Sequence, residues 1–344
     1  MSRIVFADMT SAYDGSALEA RPLGGTESSV IRLSRELARR EHDVTVHTPC
    51  SGPSEQQGVK WRPLSAPARV ACDLFVPVQQ PRLLGFVPGP TRLAIWLLWR
   101  PNNLRHYKQI GRMWRYRPIP IFMSRMQQAG YSAFLPRPHG VFIPLGLPDE
   151  VRHQPPLATP PPRRAIFASN PSRSLHELAV LWAGSVLPRV PDAVLDVYGI
   201  NGLTDGRSGW EAWEGNCLPA GLSPAAKASI RIHAPTSREG LKRAMREARV
   251  IPYLGHKSEA FCLTLAEAQA LGLPAVVGLT GSLPERVVNG VTGFHCSDDE
   301  AFVEATVALL TDDALWRRQH EAALALQQGL SWSDYADAFE AGLL

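Results

Sequence analysis

The chain has 344 residues, of which 45% are hydrophobic and 20% charged, so a packed globular protein of about two domains is expected. No apolar run reaches ~18 residues, which excludes a transmembrane helix. The five scattered cysteines lack a Cys-x-x-Cys pair and exclude a disulfide framework or a zinc ribbon, in keeping with a reducing, cytoplasmic setting, and the net charge of +4 is a mild excess.

The start, MSRIVFADMT, lacks a long apolar segment and reads as a strand over 3–8, not a signal peptide. A turn follows, Leu23-Gly24-Gly25-Thr26-Glu27, with Thr26 as the expected cap of a helix. Val30, Ile31, Leu33, Leu37 and Ala38 form its apolar face. Residues 43–48 (DVTVHT) are the next strand. Strand, glycine-rich turn, helix, strand is the opening of a doubly wound domain. Gly24 and Gly25 allow close approach of backbone to a ligand, although an ordinary tight loop has the same look. Their spacing is not G-x-G-x-x-G, so no dinucleotide fingerprint is present. Further strands are expected at 59–63, 72–78, 92–98 and 119–123, and 141–145 ends this half.

From Arg92 to Arg125 the chain carries Arg92, Arg100, Arg105, Lys108, Arg112, Arg115, Arg117 and Arg125 with no acidic residue. Trp96, Trp99, Tyr107, Trp114 and Tyr116 are interleaved. Such a stretch suits an anionic membrane, an acidic acceptor or nucleic acid. It reads equally well as a solvated face over buried aromatics.

Residues 148–164 (PDEVRHQPPLATPPPRR) place five prolines between Pro155 and Pro162, which predicts a stiff linker and a domain boundary. The expected division is 1–147, linker 148–164, a second domain over 165–330, and a terminal helix over 331–344. In the second domain the alternation restarts. Strands are expected at 165–168, 193–198, 230–233, 249–254 and 275–278. Helices are expected at 175–187, 239–248, 298–310 and 314–328. Asp298-Asp299 and Asp312-Asp313 fall at helix starts, where acidic residues suit the dipole.

The segment 259–267 (EAFCLTLAE), followed by AQALGLPAVV, concentrates the chemistry. Phe261, Cys262, Leu263 and Thr264 are expected to form the first turn of a helix. Its unpaired amides and positive end suit phosphate. Glu259 and Glu267 cannot bind phosphate, but they accept hydrogen bonds from hydroxyls. Phosphate flanked by hydroxyl-bearing groups describes a sugar nucleotide. Arg173, after the first strand of this half, can meet a diphosphate with two parallel hydrogen bonds.

Glu259, Phe261, Cys262, Glu267, Ala268, Gly272, Pro274 and Val276 closely resemble the signature of retaining glycosyltransferases of family 4, the "glycosyl transferases group 1" domain. The resemblance is strong over 165–333 and loose over the first half. It implies a GT-B fold: two Rossmann-like, doubly wound α/β domains facing a central cleft, with the last helix crossing back to the first domain. It further implies a hexosyltransferase-type enzyme using a UDP- or GDP-sugar. Glu259 then orients the sugar and Glu267 the ribose. Arg173 and the amides of Phe261, Cys262 and Leu263 neutralise the leaving diphosphate. Gly24 and Gly25 face the donor phosphates, Ser169 and Asn170 accompany Arg173, and Tyr198, His233 and Pro235 cradle the nucleoside.

This chain departs from the family at three points. Phe167 stands where a second basic residue is common, and Ser174 replaces a glycine. The first-domain histidine is missing from AIWLLWRPNN; His106, Arg100, Asn102 and Asn103 are the nearest substitutes. No Asp-x-Asp occurs, so neither metal nor cofactor is expected. The expected acceptor is a glycan, a lipid-linked or a small molecule. The protein is expected in the cytoplasm, with peripheral membrane contact through 92–125 held open and no nucleic acid partner. A nucleotide-sugar-binding protein without transferase activity is the alternative.

Overall fold

The structure is a computed structural model and describes residues 1–64, 71–99, 104, 106–136, 139–198 and 217–344. The chain divides into two compact units, Met1–Gly146 with Leu330–Leu344, and Leu147–Gly329.

The first unit is built on one sheet. Its strands run in the order Ser54–Gln56, Val59–Pro63, Asp43–Thr48, Arg3–Ala7, Leu74–Pro77, Arg92–Trp96, Ile119–Phe122 and Val141–Phe142. Only the Ser54–Gln56 strand is antiparallel to its neighbour. Ile4 lies opposite both Val44 and Leu74, and Ile4, Val5, Phe6 and Ala7 are fully buried. A parallel sheet covered on both faces requires such an unbroken apolar run. The terminal helix, Trp332–Leu343, belongs to this unit. A capping box of Ser331 and Asp334 starts it, Phe339 stacks on Phe6 at 6.1 Å, and Arg40 holds Asp337 at 2.5 Å.

The second unit joins two three-stranded sheets. One runs Arg164–Ala168, Val194–Tyr198, Ile230–Ile232, and the other Ile251–Tyr253, Ala275–Gly278, Gly293–Cys296. A parallel bridge from Ala165 to Val250 connects their first members. Numbered along the chain, the strands therefore lie 3-2-1-4-5-6, the doubly wound order. The crevice outside strands 1 and 4 is where such a sheet binds ligands.

Several expected elements shift. The Gly25–Arg39 helix is capped by Gly24, not Thr26, because Gly24 already has extended backbone (φ −66°) and Thr26 lies within the first turn. The predicted 175–187 helix is α-helical over Leu175–Leu181 and then widens into a π turn over Trp182–Val186. A helix over Tyr107–Tyr116 had no strong sequence signal, since only Ile110 and Met113 supply its apolar side. The proline-rich stretch lies on the second unit as part of it. Its Leu157 N–H donates to His320 Nε2 at 2.9 Å, and Arg249 Nε donates to the Pro161 carbonyl at 2.6 Å. Among the described residues, no helix is long and apolar enough to cross a membrane.

Candidate active site

Strand 1 of the second unit ends at Ala168, and the chain turns through Ser169, Asn170, Pro171 and Ser172 to Arg173. Asn170 shapes the turn: its Oδ1 accepts from Ser172 N and Oγ at 3.0 and 2.8 Å, and its carbonyl accepts from Arg173 N at 2.9 Å. This local hydrogen bonding makes asparagine a turn residue. Ser174 has left-handed backbone (φ 70°), which explains why glycine is common there in the resembling family. Here the Ser174 hydroxyl donates to the Gly255 carbonyl, tying the loop after strand 1 to the loop after strand 4.

Arg173 and Glu259 are brought together. Arg173 Nη1 donates to Glu259 Oε1 at 2.6 Å, and Tyr253 Oη donates to the same oxygen at 2.5 Å. Ser169 Oγ lies 3.3 Å from Tyr253 Oη. The Glu259 side chain is 3% exposed and that of Arg173 36%, so the carboxylate is held inside while the cation reaches solvent. Burial opposes the charge on Arg173, but Glu259 and Tyr253 outweigh it and raise its pKa. Burial, reinforced by Cys262 and Glu259, pushes the Tyr253 phenol well up, so it stays a donor. Gly281 (φ +62°) packs against the Glu259 backbone; a Cβ there would lie 2.6 Å from the Glu259 carbonyl oxygen.

The helix after Glu259 starts later than the sequence suggests. It spans Leu263–Ala270, with Cys262 as its cap in left-handed backbone (φ 62°). Phe261 and Cys262 therefore precede the first turn instead of forming it, because the left-handed residue breaks the helical path there. The amides at the helix mouth are those of Leu263 and Thr264. Burial and the nearby Glu259 push the Cys262 thiol well up, which keeps it neutral and unreactive. Phe261 lies under Arg286, whose guanidinium carbon is 4.4 Å from the ring centre.

Glu267 sits one turn into this helix and accepts from Arg238 Nη1 at 3.3 Å. Along the same sheet edge, Tyr198 and His233 stack at 4.3 Å with 3° between their rings. His233 Nε2 lies 2.6 Å from Asp196 Oδ1, a carboxylate also held by Arg164 Nε at 2.8 Å. Pro235 follows on the exposed side. Gly24 and Gly25 are in the other unit, at the start of its Gly25–Arg39 helix. His106 caps the Tyr107–Tyr116 helix on the surface. Arg100, Asn102 and Asn103 lie outside the described residues.

Sequence reasoning missed Tyr253, Arg238, Asp196 and Arg286. Tyr253 ends strand 4, and the switch-point rule would have singled it out once strand order was known. Nothing in the spacing pairs Arg238 with Glu267, 29 residues away. The aromatic question over 92–125 has a split answer. Trp96 is fully buried, whereas Tyr107 and Trp114 are 70% and 51% exposed.

The match to known proteins falls on this arrangement. Residues 224–325 match the model of the family "Glycosyl transferases group 1". They are a group 1 glycosyl transferase domain, on a chain of GT-B fold. The group 1 domain lies in the half of the chain that carries Glu259 and Glu267. A D-inositol 3-phosphate glycosyltransferase from Streptomyces griseus is 33% identical over 180 residues, covering 47% of this chain and 38% of the relative. One from Kribbella flavida is 37% identical over 106 residues, covering 30% and 24%. The chain thus spans less than half the length of these curated relatives. Among solved structures, sucrose-phosphate synthase from Thermosynechococcus elongatus superposes with a TM-score of 0.74 at 16% identity, over 98% of both chains. Anabaena HepE in complex with UDP and glucose superposes with a TM-score of 0.68 at 13% identity, over 99% of both. At these identities the likeness is one of fold.

Proposed function

We propose that this protein is a retaining glycosyltransferase that moves a hexose-type sugar from a nucleoside diphosphate sugar to an acceptor hydroxyl. The observation that carries the reading is the pairing of Arg173 with Glu259 at the switch point, beside the start of the Leu263–Ala270 helix. Departing diphosphate gains negative charge as the glycosidic bond breaks. A cation and helix amides already aimed at that charge lower the barrier. Arg173 then exchanges part of its contact with Glu259 for the diphosphate. Glu259 receives the sugar hydroxyls, and Glu267 the ribose hydroxyls. In this reading no metal takes part, since Arg173 and the amides of Leu263 and Thr264 neutralise the diphosphate. The transition state is oxocarbenium-like, and the leaving phosphate oxygen accepts the acceptor's proton on the same face of the sugar.

UDP is the nucleotide to test first, because a solved neighbour of the same fold holds UDP and glucose. A phosphorylated polyol is the first acceptor class, by the printed activity of the relatives matched over part of the chain. The exposed Tyr107 and Trp114, set among Lys108, Arg112 and Arg115, support peripheral contact with an anionic membrane. Nucleic acid is not expected. The test is incubation with UDP- and GDP-sugars across an acceptor panel, following nucleotide release and the anomer formed. An α-linked product from an α-linked donor is expected, and an inverted anomer would overturn the mechanism. Flotation with anionic vesicles and its absence with neutral ones is expected for the membrane contact. No flotation with either would end that part of the reading.

A further inference from the structure

The first unit holds a cavity of about 790 Å³ at the edge of its sheet opposite the one that carries Gly24. Arg92 and Leu93 begin one parallel strand and Ile119 begins the next, so the cavity opens at the N-terminal ends of the strands. Ligands of doubly wound sheets bind at the other edge, so this pocket is no part of the site described above.

Its lining is cationic. Arg92, Arg115 and Arg117 line it with Thr91 and Tyr116, and among the described residues no carboxylate does. The acidic residue at the start of a neighbouring strand, Asp73, is turned away and accepts from the Arg3 N–H at 2.7 Å. The Arg115 guanidinium lies over the Tyr116 ring at 5.6 Å, a contact that leaves its N–H groups available. Tyr116 packs its hydroxyl against Gly85, where any side chain would overlap it.

Arg117 adds a separate observation. It ends the Tyr107–Tyr116 helix in left-handed backbone (φ 46°), with its N–H donated to the Met113 carbonyl at 2.8 Å. That position is normally filled by glycine, which adopts it freely. An arginine here keeps a strained backbone, and it is the third arginine that lines the cavity. Three lining arginines with a threonine and, among the described residues, no carboxylate suit the oxygens of a phosphate group, which arginine binds in a forked geometry.

We propose that this pocket is a second anion site, taking a phosphate monoester or diphosphate group. The group is either that of a soluble molecule or the headgroup of an anionic lipid. The proposal does not depend on transferase activity or on membrane contact.

Calorimetric titration of the full chain with pyrophosphate tests it, in the parent and in Arg173→Gln, so that binding at the nucleotide site is told apart. Saturable binding is expected. Arg92→Gln or Arg117→Gly is expected to weaken it at least tenfold, while Lys60→Gln, in the same unit but outside the cavity, leaves it unchanged. Arg117→Gly also relieves the left-handed strain, so its melting temperature should rise as its affinity falls, which separates lost binding from lost folding. Vesicles of phosphatidylcholine with and without phosphatidic acid identify the source. Loss of vesicle binding in Arg92→Gln but not in Lys60→Gln assigns the site to a lipid headgroup. Equal vesicle binding by both variants assigns it to a soluble phosphate. Absence of saturable pyrophosphate binding, or equal weakening by Lys60→Gln, would overturn the proposal.

Discussion

With the antiparallel Ser54–Gln56 strand left out of the count, both units set their first strand beside their fourth, yet the loops that leave their first strands differ in charge. In the first unit, Asp8 follows the Arg3–Ala7 strand and is buried. Its Oδ2 accepts from Tyr13 Oη at 2.6 Å and its Oδ1 from Thr10 Oγ1 at 2.6 Å. Glu27, also buried, accepts from Ser11 Oγ at 2.7 Å. Burial raises the Asp8 pKa, its hydrogen bonds pull the other way, and Glu27 adds a small further rise. In the second unit the corresponding loop supplies Arg173, whose charge is stabilised by Glu259 and Tyr253. One topology thus presents a carboxylate after the first strand of one unit and, after the first strand of the other, a cation paired with Glu259. Topology selects where a ligand is met, and the side chains select which charge it carries.

If the contrast is functional, the two loops should fail differently. The largest effect is expected for Arg173→Gln, which should lower kcat/KM about 10²- to 10³-fold in nucleotide release. A variant within threefold of the parent would remove the cation from the chemistry. Tyr13→Phe should come next. It leaves a buried carboxylate oxygen unpaired and should cost about 1–3 kcal/mol in chemical denaturation, while calorimetry shows unchanged UDP affinity. A changed UDP affinity would mean that the first loop is not independent of donor binding. Glu267→Ala should weaken UDP binding about tenfold, equivalent to ~1.4 kcal/mol, with a smaller loss for a nucleotide lacking the ribose hydroxyls. Equal losses for both nucleotides would leave Glu267 as a partner of Arg238 only.

The smallest expected effect lies outside both loops and sharpens the account of the second unit. His320 Nδ1 donates to the Gly272 carbonyl at 2.6 Å and Nε2 accepts from Leu157 N–H. A second proton would face that N–H, and burial already lowers the pKa below 6.5. A depressed histidine pKa gives stability that is complete above 6.5 and is lost as pH falls toward the folded-state value. The parent protein should lose about 1 kcal/mol between pH 7 and 5.5. His320→Gln should start lower and show a flatter acid limb in denaturant titrations. A parallel pH dependence in both would show that another group controls it.

Much of the site was legible because its chemistry is local. Glu259 and Glu267 lie eight residues apart on one loop and helix, and the sequence marks the helix start that lies between them. The helix boundary was misplaced by two residues, because a left-handed cysteine carries no propensity signal that distinguishes it from a helical one. The Tyr107–Tyr116 helix escaped notice for a different reason. With only Ile110 and Met113 turned inward, its apolar period is too sparse to read.

What the sequence determined by itself was the set of elements and the charges each presents: alternating buried strands and helices, a twin-carboxylate segment, and an arginine after a strand. Which of those groups meet was decided only by tertiary structure. The 3-2-1-4 strand order sets the loop after Arg164–Ala168 beside the loop after Ile251–Tyr253. It thereby joins Arg173 to Glu259 across 86 residues, with Tyr253 on the same oxygen. Local propensity acts over a few residues, whereas such pairs depend on how parallel strands are ordered, and that order is fixed by the packing of the whole sheet.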